Sequence, residues 1–250
     1  MKLLKKVATV ACATLLVTSL YAQESGSSKR TETSADTDYL SSVEDVVIKE
    51  LANSDDRDNK MVALQYLESA VNDGRVTPDM MVALDSLAGE GITTQARSGG
   101  RLVNNFPDIR AKSCDLLAKV PTEESKTTLV KIALADNEPM VITAAIRSLG
   151  EIGLNDGDDV VNTIAWISKK NSVVAPTSSL ALEIVIAYEK LWDKAEDKRD
   201  MIQALTQIAT NYSFVTPVRT RALNLIRTIN SSGSNSNSSE KNNNSDMSGK

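Results

Sequence analysis

The sequence offers few of the side chains on which enzyme chemistry depends. Histidine is absent from all 250 residues, which removes the most common general base and the imidazole metal ligand. The two cysteines, Cys12 and Cys114, cannot build a zinc site of cysteine and histidine or a Cys–His nucleophile. We therefore expect no enzyme activity, no cofactor and no small-molecule substrate.

Carboxylates remain as candidates for chemistry. Glu183 interrupts the apolar segment LALEIVIA, where it is either a buried catalytic acid or, as we favour, a residue on a polar stripe or paired with an arginine. No second carboxylate is identifiable as its catalytic partner. The acidic runs at 55–58 and 155–159 lack the alternating ligands and distal glutamate of a calcium loop, so we expect them to cap helices and hold no metal.

A small cluster of arginines is the clearest candidate for binding. Arg97 and Arg101 lie in the glycine-rich segment 89–106, and Arg110 follows shortly after it. In an acidic chain this cluster predicts a contact with an acidic partner or an anion. The alternative is a mobile insertion without a role, because four glycines allow many backbone conformations.

The first 22 residues have the features of a cleaved secretory signal. Lysines at positions 2, 5 and 6 are followed by an uncharged apolar stretch, and a small residue stands at position 22. A retained anchor and a lipoprotein attached through Cys12 are the alternatives. Cleavage would remove three lysines and no acid, so the net charge of −5 would become −8.

That acidity argues against nucleic acid and anionic membranes as partners, since both attract a positive field. We expect an exported protein, periplasmic or extracellular, that meets a membrane only through a partner or an uncleaved signal.

Composition further divides the chain into a disordered spacer at 23–39, a helical domain at 40–230 and a disordered tail rich in serine and asparagine at 231–250.

The central domain must be built from helices, because its apolar residues recur at helical spacing and strand-like alternation is missing. The six prolines stand where helices would begin or end. Four of them are followed by similar text at intervals typical of stacked repeats. The spacing predicts five helix pairs. The first members are 41–52, 78–89, 123–135, 157–170 and 195–210, and the second members are 57–73, 107–120, 139–153, 176–192 and 217–230.

The second members share a pattern at their starts, in which an aliphatic residue and an arginine precede a small residue and then large aliphatic ones. Two copies carry it fully, as Ile109, Arg110, Ser113, Leu116 and Leu117, and as Val218, Arg219, Ala222, Leu225 and Ile226. A third copy has Ile142 at the arginine position. This pattern resembles HEAT-type, armadillo-like repeats.

The resemblance implies an all-α fold, an α-α superhelix or solenoid of about five helix pairs that binds partners and has no fixed chemistry. In such repeats the arginine, here Arg110 or Arg219, usually bonds to a neighbouring repeat, and direct partner contact is the alternative. Stacked pairs also present an extended surface suited to a protein or peptide.

We therefore predict a non-catalytic scaffold or adaptor whose partner is another protein of the bacterial envelope. One form of this hypothesis makes it a component of a larger envelope or motility machine. The alternatives are a self-assembling structural envelope protein and an α/α enzyme that uses carboxylates. The candidate partner-binding residues are Arg97, Arg101, Arg110, Lys112, Arg147 and Arg221.

Overall fold

A computed structural model describes the backbone of residues 28–243 and the side chains of residues 39–232. This part of the chain is mostly helical, as predicted, with ten α-helices. They are α1 (Ser28–Asn53), α2 (Arg57–Asn72), α3 (Pro78–Ala88), α4 (Pro107–Leu117), α5 (Glu123–Ala135), α6 (Pro139–Ile152), α7 (Asp159–Val174), α8 (Ser178–Leu191), α9 (Arg199–Thr210) and α10 (Thr216–Asn243).

The helices begin where the sequence places its caps and prolines. Pro78, Pro107 and Pro139 stand in the first turns of α3, α4 and α6, where a missing N–H costs no hydrogen bond. Threonine hydroxyls at the N-caps of α3, α5 and α8 accept backbone N–H groups that the first turn leaves free. The predicted role of the prolines as helix boundaries is thus confirmed.

Contacts divide the chain into a unit that ends at Val46 and a unit that begins at Val47, and α1 contributes to both. The structure describes residues 28–46 of the first unit as helix. In the second unit, α2, α4, α6, α8 and α10 pack against one another in succession, and so do α3, α5, α7 and α9. Each helix from α3 to α9 with an odd number also packs against the even-numbered helix that follows it. The apolar core lies between these two sets.

The glycine-rich segment 89–106 includes regular secondary structure. It contains a small antiparallel hairpin of β1 (Arg97–Ser98) and β2 (Arg101–Leu102). Gly99 and Gly100 join the strands with φ of 58° and 81°, the left-handed conformation that a two-residue hairpin turn needs. Strands of two residues are too short to show alternation in the sequence, which is why the pattern did not reveal them.

The predicted signal peptide at 1–22 lies outside the described residues, as do 23–27 of the predicted spacer and 244–250 of the predicted tail. Helix α1 begins at Ser28, inside the predicted spacer, and α10 runs to Asn243, inside the predicted tail. The division into signal, spacer, repeat domain and tail stays a prediction. None of the described helices is long and apolar enough to cross a membrane.

Candidate protein-interaction site

The hairpin segment, residues 89–106, rests on buried charged residues. Lys60 of α2 is 4% exposed, and its Nζ donates to Glu90 Oε2 at 2.9 Å and to the carbonyl oxygen of Ala52 at 2.8 Å. Glu90 stands at the start of the hairpin segment and is itself buried. A buried ion pair with additional hydrogen bonds leaves neither charge uncompensated, so this contact fixes one end of the segment to α2.

Asn104 ties the other end of the segment back to its beginning. Its Nδ2 donates to Glu90 Oε1 and to the carbonyl oxygen of Thr94, each at 2.7 Å. Its Oδ1 accepts the backbone N–H of Ala96 at 2.9 Å. A Cβ on Gly91, where φ is +74°, would lie 2.5 Å from the carbonyl oxygen of Asn104, so only glycine permits this close approach.

Arg110 of α4 completes the base of the hairpin segment. Its guanidinium is 2% exposed and donates to both carboxylate oxygens of Asp136, from Nε at 2.7 Å and from Nη2 at 3.2 Å. Its Nη1 donates to the carbonyl oxygen of Glu90 at 3.1 Å and to Asn105 Oδ1 at 2.9 Å. Asp136 follows α5 in the next helix pair. Arg110 therefore bonds to a neighbouring pair, and its burial leaves no surface for the partner contact that we predicted.

The tip of the hairpin carries the two remaining arginines of the cluster, and both are exposed. Arg97 forms hydrogen bonds within its own segment, where its Nη1 donates to the carbonyl oxygen of Gly100 at 3.2 Å and its Nη2 to Gln95 Oε1 at 3.0 Å. Arg101 stands opposite Ser98 in the strand register. The segment thus displays two positive side chains on a turn whose base is fixed by buried contacts.

The other candidates lie on the second helices of the pairs, which are α2, α4, α6, α8 and α10. They form a ladder of ion pairs between consecutive helices of this set. Lys112 of α4 donates to Glu68 of α2 at 2.7 Å, and Arg147 of α6 donates to Asp115 of α4 at 2.6 Å. At the far end of the series, Arg221 of α10 donates to both oxygens of Glu189 on α8, at 2.8 and 2.7 Å.

The ladder changes the proton affinity of its members. The hydrogen bond that Glu68 accepts from Lys112 lowers the pKa of Glu68, and the hydrogen bond that Arg147 donates to Asp115 raises the pKa of Arg147. The hydrogen bonds that Arg221 donates to Glu189 likewise raise the pKa of Arg221. These basic groups are thus engaged with carboxylates of this chain, and a partner would have to displace those carboxylates to reach them.

Glu183 joins the same ladder. Its carboxylate oxygen lies 3.6 Å from Arg147 Nη1, and its side chain is largely buried. This arrangement matches the interpretation of Glu183 as a carboxylate paired with an arginine. The six candidates therefore fall into three groups, with Arg97 and Arg101 at the hairpin tip, Arg110 beneath it, and the rest in the ladder.

The acidic run 155–159 stabilises a turn. Asp158, with φ of 61°, accepts the backbone N–H groups of Glu196 and Asp197 at 3.0 and 2.7 Å, and these bonds lower its pKa. Asp156 and Asp159 pair with Lys126 of α5 at 2.9 and 3.1 Å. Within the described residues, no group of three or more potential ligands could hold a metal ion.

Cys114 lies in the core between α4 and its neighbours and is fully buried. Burial raises the pKa of its thiol, because the thiolate would be desolvated. Ser148 Oγ donates to the carbonyl oxygen of Cys114 at 2.8 Å, which joins α6 to α4. Cys114 is therefore a small residue of the apolar core.

Sequence reasoning missed most of the buried network. Lys60, Glu90, Asn104 and Asp136 were not recognised, since each contacts residues that are distant in the chain. One signal existed, because Lys60 occupies a position on the apolar face of α2 with Ala63, Leu64 and Leu67. A charged residue on such a face must find a partner when it is buried.

Comparison of the chain with family models, with curated proteins and with solved structures gave no match.

Proposed function

We propose that this chain is a non-catalytic protein-interaction scaffold or adaptor, exported to the bacterial envelope and built as a HEAT-like α-α superhelix. The succession of packed second helices and of packed first helices supports the repeat architecture. In repeat arrays each unit buries its apolar face against its neighbours, and the remaining surfaces are available for partners.

A single observation carries the binding proposal. The hairpin segment holds Arg97 and Arg101 at an exposed tip, while the charges at its base are buried and paired. A segment fixed in advance loses little conformational freedom when a partner binds, which favours affinity. A simple connection between α3 and α4 would not require a fixed segment with two exposed arginines.

The chemistry of the tip indicates an acidic partner surface. Arginine presents several N–H donors in a planar group that matches the two oxygens of a carboxylate. The chain as a whole has an excess of acids, with 33 acidic against 28 basic residues. Charge complementarity would therefore direct an acidic protein to the tip and away from most of the remaining surface.

Photo-crosslinking in living cells tests this proposal. A photoreactive amino acid in place of Ser98 stands between the two arginines and would form an adduct with the partner. We expect one reproducible adduct with an envelope protein, lost in the double variant Arg97→Glu, Arg101→Glu. The matched control is Arg199→Glu, Arg227→Glu, which makes the same change of charge at exposed arginines elsewhere.

Three outcomes would contradict the proposal. The first is an adduct that persists unchanged after charge reversal at the tip, and the second is its loss in the control variant as well. The third is the absence of any adduct with another protein. Adducts formed only between copies of this chain would favour the self-assembling envelope protein.

A further inference from the structure

A second surface feature lies between α7 and α9, within the larger unit of the fold. Both belong to the first helices of the pairs, which in this unit include α3, α5, α7 and α9, and they enclose a groove of about 290 Å³. Six side chains with polar or aromatic groups line it, namely Asn162, Trp166 and Lys169 from α7 and Asp200, Gln203 and Gln207 from α9. The spacing of four and three residues on α7, and of three and four on α9, places each set on one face of its helix.

This groove differs from its counterparts between the other first helices. A hydrogen bond from Thr128 to Asp85 joins α5 to α3. Lys126 of α5 pairs with Asp159 of α7 at 3.1 Å and with Asp156 just before it. In the part of the chain that the structure describes, no side-chain hydrogen bond or ion pair joins α7 to α9. Polar groups that face one another there are available to a ligand.

Trp166 supplies an aromatic surface at the groove. Its side chain is half exposed, at 50%, and Lys170 Nζ lies 5.2 Å from the ring centre. A tryptophan buries a large apolar area when a ligand covers it, so a half-exposed ring next to a polar groove favours binding. Apart from this ring, the apolar lining consists of Ala165 and Ala204.

The composition of the groove selects the chemical class of ligand. The amides of Asn162, Gln203 and Gln207 each donate and accept hydrogen bonds, as hydroxyl groups do. The lining holds one positive side chain, Lys169, and one negative side chain, Asp200, so it has no net charge and suits a neutral ligand. A peptide would need apolar pockets for its anchoring side chains, and two alanines do not provide them.

We propose that the groove between α7 and α9 binds a short neutral saccharide, with one sugar ring stacked on Trp166 and its hydroxyl groups bonded to the amides and to Asp200. The groove volume lies at about the lower limit of small-molecule sites, enough for a short ligand. This proposal concerns a surface separate from the hairpin segment and does not depend on the proposed protein partner.

Nuclear magnetic resonance of the purified full chain tests this proposal. The probes are the neutral disaccharides cellobiose, maltose and N,N′-diacetylchitobiose, and the readout is the indole N–H signal of Trp166, assigned by its loss in Trp166→Phe. We expect at least one disaccharide to shift this signal to saturation. Gln203→Ala should weaken the binding by about tenfold, the factor that corresponds to about 1.4 kcal/mol of lost contacts.

Tyr212→Ala is the matched control, because Tyr212 is also an exposed aromatic ring beside a cation, with Arg219 at 4.6 Å. We expect this variant to bind the disaccharide as the unchanged chain does. The proposal would be overturned if none of the three sugars shifts the Trp166 signal. It would also be overturned if Gln203→Ala binds equally well, or if a neutral peptide shifts the signal and the sugars do not.

Discussion

The base of the hairpin segment and the ladder of ion pairs use charged side chains in opposite ways. At the base of the hairpin segment, Lys60, Glu90, Arg110 and Asp136 are buried and bonded to one another or to the backbone. Along the second helices, pairs such as Arg221 with Glu189 lie on the surface, partly exposed. The same residue types thus form buried contacts that stabilise the fold in one region and partly exposed surface pairs in the other.

The difference follows from how the backbone N–H and C=O groups of each region find hydrogen-bond partners. A helix pairs its own N–H and C=O groups, so apolar packing can stabilise it and surface charges add little. In the hairpin segment, backbone bonds such as the one from Gly91 to Thr94 are supplemented by side chains, and the carbonyl groups of Glu90 and Thr94 each accept a side-chain donor. Buried arginine and asparagine side chains supply these donors.

The largest effect should come from Arg110→Ala. Removal of the guanidinium leaves the carboxylate of Asp136 buried without its partner, which costs about 3–5 kcal/mol of unfolding free energy. Urea denaturation followed by circular dichroism measures this loss. A decrease as small as that of a surface ion pair would remove the distinction between the two regions.

A smaller effect is expected from Asp158→Asn, at the turn before α7. Asparagine tolerates the left-handed backbone there but weakens the bonds to the N–H groups of Glu196 and Asp197, at a cost of about 1–2 kcal/mol near neutral pH. This variant tests whether a buried carboxylate also holds a second turn. The measurement is the urea midpoint at a series of pH values.

The pH dependence has a definite sign. Because the folded state lowers the pKa of Asp158 below its ordinary value of 3.8, the unfolded chain binds the proton more readily. The stabilisation is complete above the ordinary pKa and is lost as the pH falls through the lowered one. Asp158→Asn should therefore lose less stability than the unchanged chain on acidification. An identical acid limb would show that Asp158 does not contribute in this way.

A still smaller effect is expected from Arg221→Ala in the ladder. Its ion pair with Glu189 is partly exposed, and such pairs contribute at most about 1 kcal/mol. The contribution should shrink further in concentrated salt, since exposed charges are screened. Thermal unfolding at low and high salt measures both. A loss comparable to that of Arg110→Ala would mean that the ladder is a principal support of the fold.

The smallest effect on stability should come from Arg97→Ala combined with Arg101→Ala. Both side chains are exposed, and in the part of the chain that the structure describes they form no hydrogen bond or ion pair outside the hairpin segment, so the melting temperature should change little. Capture of the partner should nevertheless be lost. A lower melting temperature with capture unchanged would assign these arginines to the fold and contradict the proposed binding site.

Much of the fold could be predicted because helices leave a local signature. Prolines, caps and apolar spacing indicated each of the ten helices, but several bounds differ from the prediction. Helix α1 begins earlier, at Ser28, α10 ends later, at Asn243, and α8 begins at Ser178 rather than at 176. Helices α7 and α9 begin at Asp159 and Arg199, later than predicted. The turns before these two helices explain the differences. Their backbone is fixed by Asp158, whose bonds to Glu196 and Asp197 join residues almost forty positions apart.

The candidate site was harder to predict from the sequence than the fold. Composition identified Arg97 and Arg101 as a cluster, but the spacing could not separate them from Arg110, which is buried. The difference arises from Asp136, a residue in another helix pair that the sequence does not connect with Arg110. The repeat pattern gave a better indication, since it implied that this arginine bonds to a neighbouring repeat.

Hydrogen exchange of the hairpin amides would test the central claim most directly, namely that buried charges hold the segment in one conformation. The informative amides are Gly91, Ala96 and Val103, whose N–H groups donate to Thr94, Asn104 and Ala96 at 3.1, 2.9 and 2.9 Å. We predict slow exchange at these three positions in the unchanged chain, and fast exchange at Gly99 and Gly100 of the tip. Exchange at all five positions at the rate of an unstructured peptide would contradict the account.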